Sequence, residues 1–378
     1  MKKCIIASDS FKGTLSSSEI CDIARRVIKD VFPDCSVMTI PVADGGEGTV
    51  ECFERAAGAV PVRVTVSGPL GEPMEAEYAV MGKTAVIELA SAAGLPLIED
   101  RKSPLRATTF GVGQLMRHAA ENGCTSILLG LGGSATTDSG CGMAAALDAV
   151  FLDKEERSFV PTGGTLEQVT DIDISGTERL LRDVSLTVMC DVNNPLYGET
   201  GAAHVYGPQK GADPDTVELL DRGLRHISDV ITEKLGKDIS AVPGAGAAGG
   251  SGAGCMAFLG GRLVSGTEAV LDAVGFDEAL KDADIVITGE GKLDSQSLNG
   301  KLLYGVSSRT RRAGVPLIAI VGTIAGDAGE LYEKGLAAVF QTNRAGLPFS
   351  DIPPRAASDY EATLRDVMNL IKATEKKG

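Results

Sequence analysis

The first sixty residues alternate short apolar runs with amphipathic segments. Residues 4–7 predict a strand, and Ser16 with Glu19 predicts a capping box at the start of a helix whose apolar positions recur every three or four residues. A second strand is predicted over residues 37–41, and a short helix then ends near Ala57. This succession of strand and helix is typical of α/β proteins.

The pattern changes at about residue 60, where valine alternates with other residues over 60–66, and it returns at about residue 284. The later apolar runs predict strands over residues 285–288, 317–321 and 338–341. The simplest topology joins residues 1–60 and 284–378 as one doubly wound parallel sheet of five strands, with residues 61–283 inserted as a second α/β domain. A chain of 378 residues exceeds the size at which one core stops growing, which also favours two domains.

The glycine-rich loop of residues 130–142 lies in the predicted insertion. A strand over residues 126–129 precedes it, and a helix of about two turns is predicted over residues 143–150. Its glycines would let a ligand approach the backbone, and the start of the helix would offer N–H groups to a phosphate. Its candidate nucleotide- or substrate-binding residues are Gly132, Gly133, Ser134, Thr136 and Asp138. Close packing of helix against sheet is the alternative explanation for the glycines.

A second motif overlaps this loop. The spacing Gly130-x-Gly132-x-x-Ala135, with Asp153 about 20 residues further on, satisfies a loose dinucleotide fingerprint. It keeps open a different class of function, an NAD-dependent oxidoreductase acting on a small hydroxy acid. The position of the motif in mid-chain, inside the predicted insertion, argues against that alternative.

Net charge and composition exclude several classes of binding partner and cofactor. The formal charge of −15 disfavours a nucleic-acid or anionic-membrane surface, because the long-range field repels polyanions. The apolar run after Met1 is too short for a secretory signal, and no apolar stretch of membrane-spanning length follows, so we expect a cytoplasmic protein. The eight cysteines include no Cys-x-x-Cys pair, and the three histidines have no metal-ligand spacing, which makes zinc improbable.

Polar, glycine-bearing loops follow most of the predicted strands, at the strand ends where open α/β sheets bind ligands. Outside the 130–142 loop they carry Lys12, Asp44, Glu47, Asp191, Lys210, Glu290 and Lys292. A solvated lysine or a turn acid is the simpler explanation for each residue alone. If these loops face one cleft between the domains, lysines, carboxylates and backbone donors together provide what phosphoryl transfer requires.

Roles follow from that hypothesis. Asp191 is the candidate base, with Lys12 and Asp44 as further catalytic candidates. Lysines such as Lys210 would neutralise the charge of a phosphate or carboxylate. Asp191 and Glu47 are candidate ligands for Mg²⁺, which prefers carboxylate oxygens.

Residues 242–254, VPGAGAAGGSGAG, are too rich in glycine to predict either helix or strand. They form either a linker or a segment whose backbone packs against a ligand or another part of the chain. The alanines and the absence of charge favour packing. Just before them, Asp213 and Pro214 predict the start of a long helix that ends at Gly236.

A family resemblance rests on blocks that span nearly the whole chain. They are DSFKGTLSS (9–17), PVADGGEGT (41–49), SGPLGEP (67–73), TAVIELASAAGL, TTFGVGQL, GLGGSATTDSGCGM, CDVNNPLYG, YGPQKGAD, PGAGAAGG and ADIVITGEGKLD. In this order they resemble the signature blocks of the bacterial glycerate kinase type 1 family.

The resemblance implies ATP-dependent phosphorylation of D-glycerate. It favours 2-phosphoglycerate as the product, with 3-phosphoglycerate as the other possibility. It also implies a Rossmann- or flavodoxin-like domain built from both termini and an inserted domain with a restriction-endonuclease-like core. No partner beyond the substrate, ATP and Mg²⁺ is expected, except a second copy of the chain in a homo-oligomer.

Overall fold

The computed structural model describes residues 1–42, 48–293, 302–325, 329–333 and 335–375. The chain divides into two compact units. The first contains Met1–Asp44, Glu51–Gly58 and Thr267–Gly378, and the second contains Gly45–Val50 and Ala59–Gly266. No helix of the described residues is long and apolar enough to span a membrane.

The strands and helices of the described residues are numbered here along the chain. The strands are β1 Lys3–Ser8, β2 Ser36–Pro41, β3 Val60–Ser67, β4 Pro73–Met81, β5 Thr84–Glu88, β6 Ser126–Gly130, β7 Val150–Leu152, β8 Ser158–Phe159, β9 Asp171–Asp173, β10 Ser185–Met189, β11 Arg262–Val264, β12 Ile285–Gly289, β13 Lys292–Leu293, β14 Leu317–Val321, β15 Thr323–Ile324 and β16 Leu336–Gln341. The helices are α1 Ser17–Val31, α2 Thr49–Ala57, α3 Ala90–Ala93, α4 Phe110–Glu121, α5 Cys141–Ala146, α6 Ser175–Leu180, α7 Ala202–Tyr206, α8 Pro214–Leu235, α9 Ala247–Phe258, α10 Gly266–Ala273, α11 Phe276–Leu280, α12 Leu302–Ala313, α13 Gly329–Glu333 and α14 Ala356–Glu375. Short 3-10 helices cover Leu95–Arg101, Leu166–Gln168, Pro208–Lys210, Phe349–Asp351 and Pro353–Arg355.

The first unit is built on a parallel sheet in the order β16-β14-β12-β1-β2. Strand β1 pairs on one side with β2 and on the other with β12, so that Cys4 lies opposite both Val37 and Ile285. The predicted parallel sheet of five strands, drawn from both ends of the chain, is therefore confirmed. Its buried core includes Ile6 and Ile287 from the sheet and Leu364 from α14.

Helix α1 begins where the sequence predicts. The Ser16 hydroxyl accepts a hydrogen bond from the Glu19 N–H at 3.2 Å, and the Glu19 carboxylate accepts one from the Ser16 N–H at 2.8 Å. This capping box satisfies N–H groups that the first turn of a helix leaves unpaired. Residues such as Ile20 and Val27 then face the core of the first unit.

The second unit contains a mixed sheet in the order β11-β10-β6-β5-β4-β3. Strands β3, β4 and β5 are antiparallel neighbours, whereas β5, β6, β10 and β11 run parallel. A small sheet in the order β8-β7-β9 was not predicted. Val150, which the sequence placed at the end of a helix, instead begins β7, and α5 ends at Ala146.

Helix α8 confirms its predicted ends. The Asp213 carboxylate accepts a hydrogen bond from the Thr216 N–H at 2.8 Å, and Pro214 occupies the first turn. Gly236 follows the helix with a φ of 66°, which glycine adopts without strain. Leu220, Leu224 and their apolar neighbours on α8 are buried in the core of the second unit.

The glycine-rich segment near residue 250 corrects a prediction. The sequence predicts neither helix nor strand there, yet α9 covers Ala247–Phe258, interrupted by positive φ values at Ala248, Gly249 and Gly250. The prediction that the backbone of this segment packs against another part of the chain is confirmed. A Cβ atom on Gly254 would lie 2.1 Å from the Ser139 carbonyl oxygen, and one on Gly249 would lie 2.0 Å from that of Thr136.

The chain returns from the second unit to the first at Thr267, whereas the sequence placed this boundary at residue 284. Helix α11 and all but the first residue of α10 belong to the first unit. The guanidinium of Arg309 on α12 pairs with Glu268 and Asp272 of α10, the latter at 2.7 Å, which ties this helix to the first unit. That the two units are separate folding domains stays a prediction.

Candidate active site

Three parallel strands of the second unit end level with one another. Glu88 of β5 and Met189 of β10 both lie opposite Gly130 of β6. The loops that follow therefore leave the sheet at one edge, which is where open α/β sheets bind ligands. One of them carries the glycine-rich residues 130–142, and another begins with Cys190 and Asp191.

Asp138 lies at the centre of the glycine-rich loop and is fully buried. Its carboxylate accepts hydrogen bonds from the N–H and hydroxyl of Thr109, both at 2.8 Å, and from the N–H groups of Gly140 at 3.1 Å and Gly142 at 3.2 Å. Burial raises the pKa of this carboxyl, and the four hydrogen bonds act in the opposite direction. Asp138 therefore holds the loop against α4.

These bonds correct the expectation that the start of α5 offers free N–H groups to a phosphate. Gly140 and Gly142 already donate to Asp138, and the Met143 N–H donates to the Thr109 hydroxyl at 2.9 Å. Thr109 was not among the residues predicted from the sequence, because it lies 29 residues before Asp138 and no local pattern links the two.

The exposed part of the loop is its first turn. Gly133 is exposed and has a φ of 74°, Gly132 is half-buried, and residues from Ser134 onward are buried. The Gly133 carbonyl accepts a hydrogen bond from the Leu95 N–H at 2.9 Å, which fixes the turn to the preceding loop. A ligand reaching the loop in this conformation therefore meets Gly132 and Gly133 first.

Lys210 lies behind that turn and is only 2% exposed. Its ammonium donates to the Ser134 hydroxyl at 2.9 Å and to the Thr136 carbonyl at 2.6 Å. Burial lowers the pKa of Lys210 to about 7, while the charge of Asp138 acts to raise it. The predicted residues Ser134, Thr136 and Lys210 are thus brought together.

Asp191 is exposed, two residues beyond the end of β10. One carboxylate oxygen accepts a hydrogen bond from the Gly266 N–H at 3.1 Å, which orients the side chain. Glu88, which the sequence analysis did not select, is half-buried at the end of β5 and accepts a hydrogen bond from the Val50 N–H at 2.8 Å. The signal for it in the sequence is an acidic residue at the end of an apolar run.

The other predicted residues lie at the corresponding edge of the first unit's sheet. Ser8 of β1 is opposite Gly289 of β12, and the Asp9 N–H donates to the Gly289 carbonyl at 3.0 Å. In the loops that follow, Lys12 and Lys292 are exposed, whereas Glu290 is 7% exposed. A Cβ atom on Gly291 would lie 3.3 Å from the Lys12 nitrogen, so the two loops touch through their backbones.

Two predicted acids, Asp44 and Glu47, lie outside the described residues. Within the described part of the chain, no group of three or more His, Cys, Asp or Glu side chains forms a metal site. Among the described candidates, Asp191 and Lys210 belong to the second unit, and Lys12, Glu290 and Lys292 belong to the first.

Parallel strands that end in polar loops, with a buried lysine and an oriented, exposed carboxylate at one edge, define an α/β protein suited to small anionic ligands. A sequence model of the glycerate kinase family matches residues 4–372. The chain is 43% identical to the glycerate kinase of Bacillus subtilis over 373 residues, which cover 98% of each chain. It is 44% identical to the glycerate 2-kinase of Escherichia coli over 341 residues, or 89% of this chain and 90% of the relative.

A crystal structure from Salmonella typhimurium LT2, named as a glycerate kinase 2, matches with a TM-score of 0.87 and 40% identity, covering 99% of each chain. The chain belongs to the glycerate kinase family and is an enzyme that phosphorylates glycerate, a phosphotransferase with an alcohol group as acceptor. The alternative of an NAD-dependent oxidoreductase finds no support among these relatives.

Proposed function

We propose that the protein transfers the γ-phosphate of ATP to D-glycerate and forms 2-phosphoglycerate. The observation that carries the proposal is an oriented, exposed carboxylate, Asp191, at the same sheet edge as the Gly132–Gly133 turn. The name of the Escherichia coli relative, glycerate 2-kinase, supports the position of the new phosphate. We also propose that the protein acts in the cytoplasm.

Asp191 is the proposed base. Phosphoryl transfer to an alcohol requires the hydroxyl proton to leave, and a carboxylate within hydrogen-bonding reach accepts it. The Gly266 N–H holds one oxygen of Asp191, which limits rotation of the carboxylate and keeps it directed. Its exposure leaves it accessible to a substrate.

The remaining predicted residues are proposed to bind charge. Lys12 and Lys292 are exposed on neighbouring loops of the first unit, where their ammonium groups suit phosphate or carboxylate oxygens. Glu290, directly after β12, is 7% exposed and is retained as a candidate for binding nucleotide or substrate. Asp44 is retained as a catalytic candidate outside the described residues.

Mg²⁺ fits the oxygen donors of the site. This ion commonly uses one or two carboxylates together with water and substrate phosphates. Asp191, and Glu47 outside the described residues, would hold it, and the ion would neutralise charge that develops on the phosphates. If Asp191 is a metal ligand, its replacement should raise the Mg²⁺ concentration needed for half-maximal activity. If Asp191 is the base alone, that concentration should stay the same.

The strand order of the first unit supports a flavodoxin-like domain. When only the strands of this five-stranded sheet are numbered along the chain, β2-β1-β12-β14-β16 is the order 2-1-3-4-5 of doubly wound flavodoxin-like sheets. The ligand crevice of such sheets lies where the strand order reverses, between β1 and β12 here. A restriction-endonuclease-like core in the second unit stays a prediction.

The reaction is tested by incubating the full chain with D-glycerate, ATP and Mg²⁺. Release of ADP should depend on glycerate, and NMR of the product should show phosphorus coupled to the proton on C2. Coupling to the C3 protons would replace the proposed product by 3-phosphoglycerate. ADP release that does not depend on glycerate would refute the proposed function.

The base is tested by Asp191→Ala. We expect kcat to fall by about 10² to 10⁴ with the KM for both substrates largely kept, because general-base catalysis contributes in that range. Asp229→Ala is the matched control, since Asp229 is an exposed aspartate on α8 of the same unit. Near-normal turnover of Asp191→Ala would remove Asp191 from this role.

A further inference from the structure

Lys210 is a buried cation beneath the exposed Gly132–Gly133 turn of the second unit. The Lys210 ammonium donates two of its three N–H groups, to the Ser134 hydroxyl and the Thr136 carbonyl, and both acceptors are uncharged oxygens. No carboxylate of the described residues forms an ion pair with it, although Asp138 lies near enough to influence its pKa. Burying an unpaired charge opposes folding, so such a group is commonly retained for function.

The hydrogen bond from Lys210 determines whether the Ser134 hydroxyl acts as a donor or an acceptor toward other groups. A serine hydroxyl has one proton and two lone pairs, and a protonated lysine can only donate. Below pH 7, where Lys210 carries its proton, the ammonium occupies a lone pair of Ser134 Oγ, and the proton of Ser134 must point to another acceptor. Ser134 is 7% exposed and directly follows the exposed Gly133. The neighbouring positive charge also polarises this O–H and makes it a better donor.

A second hydroxyl in the same loop is unsatisfied. Thr136 Oγ1 is buried and has no hydrogen-bond partner among the described residues, while the carbonyl oxygen of the same residue accepts a hydrogen bond from the Lys210 ammonium. Buried polar atoms without a partner are uncommon in proteins and often mark an absent water, ion or ligand. Around the lysine there are thus two hydroxyl protons for which the described protein supplies no acceptor.

We propose that Lys210 is a positioning residue that holds the Ser134 hydroxyl as a hydrogen-bond donor to an oxyanion bound over the Gly132–Gly133 turn. The oxyanion is either the carboxylate of glycerate or a phosphate of the nucleotide, since both present only acceptor oxygens. Lys210 acts through Ser134 and does not itself touch the ligand. The inference rests on the proposed function and specifies the chemistry of one part of that site.

The experiment measures binding of D-glycerate and of ATP separately, by calorimetry at about pH 6 where Lys210 is protonated, to the full-length wild type, Ser134→Ala and Lys210→Met. One ligand should bind about 10-fold to 100-fold more weakly to Ser134→Ala, the usual effect of losing one hydrogen bond to a charged group. The affinity for the other ligand should stay within about twofold. The ligand that loses affinity identifies the source of the oxyanion. Unchanged affinity for both ligands would overturn the proposal.

The double variant tests whether Lys210 acts through Ser134. If it does, Lys210→Met should weaken the same ligand, and the double variant should lose no more than the larger single loss. Losses that multiply would show that Lys210 acts independently and would overturn its positioning role. Ser134→Ala decides the anion site by itself if Lys210→Met does not fold.

Two controls complete the design. Ser158→Ala and Lys102→Met remove exposed side chains of the same types in the same unit, and both ligands should bind to them as to the wild type. Turnover of the wild type shows whether the proposed function holds. A wild type that turns over, together with a Ser134→Ala variant that binds both ligands normally, would reject the anion site alone.

Discussion

The buried ammonium of Lys210 makes stability depend on pH in a predictable direction. Burial lowers the pKa of Lys210 from 10.5 to about 7. Below pH 7 both the folded and the unfolded chain carry the proton, and the folded state bears the full cost of burying it. At about 1.4 kcal/mol per pKa unit, that cost is about 5 kcal/mol. Between pH 7 and 10.5 the folded state releases the proton first, so this contribution to stability rises with pH.

Lys210→Met isolates this effect, because methionine keeps much of the apolar stem and does not titrate. The free energy of unfolding of the wild type minus that of the variant should increase by about 2 to 3 kcal/mol between pH 6 and pH 9. The lost bonds to Ser134 and Thr136 add an offset that does not change with pH. The sequence has no tryptophan, so urea unfolding is best followed by far-ultraviolet circular dichroism.

Lys102→Met is the control for this comparison. Lys102 is an exposed lysine of the same unit, so its replacement reports any effect of exchanging lysine for methionine that does not come from burial. A flat curve for Lys210→Met would mean that the folded protein does not depress the Lys210 pKa. The description of Lys210 as a desolvated cation would then be refuted.

Three further substitutions test the fold. Gly254→Ala should destabilise the second unit by about 2 kcal/mol or more, because its Cβ would lie 2.1 Å from a backbone oxygen; an unchanged melting temperature would contradict that contact. Arg309→Gln should cost about 1 to 3 kcal/mol in urea unfolding, since the acids left behind are exposed and can be hydrated, whereas the exposed Arg312→Gln should cost less than about 0.5 kcal/mol. Ser16→Ala should cost about 1 kcal/mol through the lost cap, and equal urea midpoints would argue against the capping box.

Elements with local signals were predicted well from the sequence. The capping box of Ser16 and the ends of α8 at Asp213 and Gly236 depend on residues within one or two turns of each other. The five parallel strands were also predictable, because each is a short apolar run followed by a polar loop. Such signals act over a few residues and survive in almost any tertiary context.

Features that depend on distant parts of the chain were not predictable in the same way. Composition around Gly250 argues against a helix, but contact with the backbone of Ser139 requires glycine there, and the helix forms around that contact. The inward direction of Asp138 depends on Thr109, which is 29 residues away. The local sequence around a loop carboxylate does not show whether its side chain faces a ligand or the core.

The candidate site was predictable only as a set of residues. The sequence brought Ser134, Thr136 and Lys210 into one group of candidates, and the structure places them in contact. It gave no indication that the lysine is buried or that it acts on a serine. Those properties follow from the packing of a 3-10 helix against a loop more than 70 residues earlier in the chain.

The pairing of β1 with β12 also constrains how the chain is made. Strand β1 can complete its pairing in the sheet only when β12 has been synthesised. Strand β2, the later of the two N-terminal strands, leaves the ribosome about 240 residues before β12 does. At 5 to 20 residues per second that interval lasts about 10 to 50 seconds. The continuous stretch Ala59–Gly266 has time to fold during this interval. Over the same interval the apolar strands β1 and β2 lack β12, and the edge of β1 that pairs with it is unpaired. Nascent chains arrested before residue 285 should therefore bind chaperones through their first forty residues.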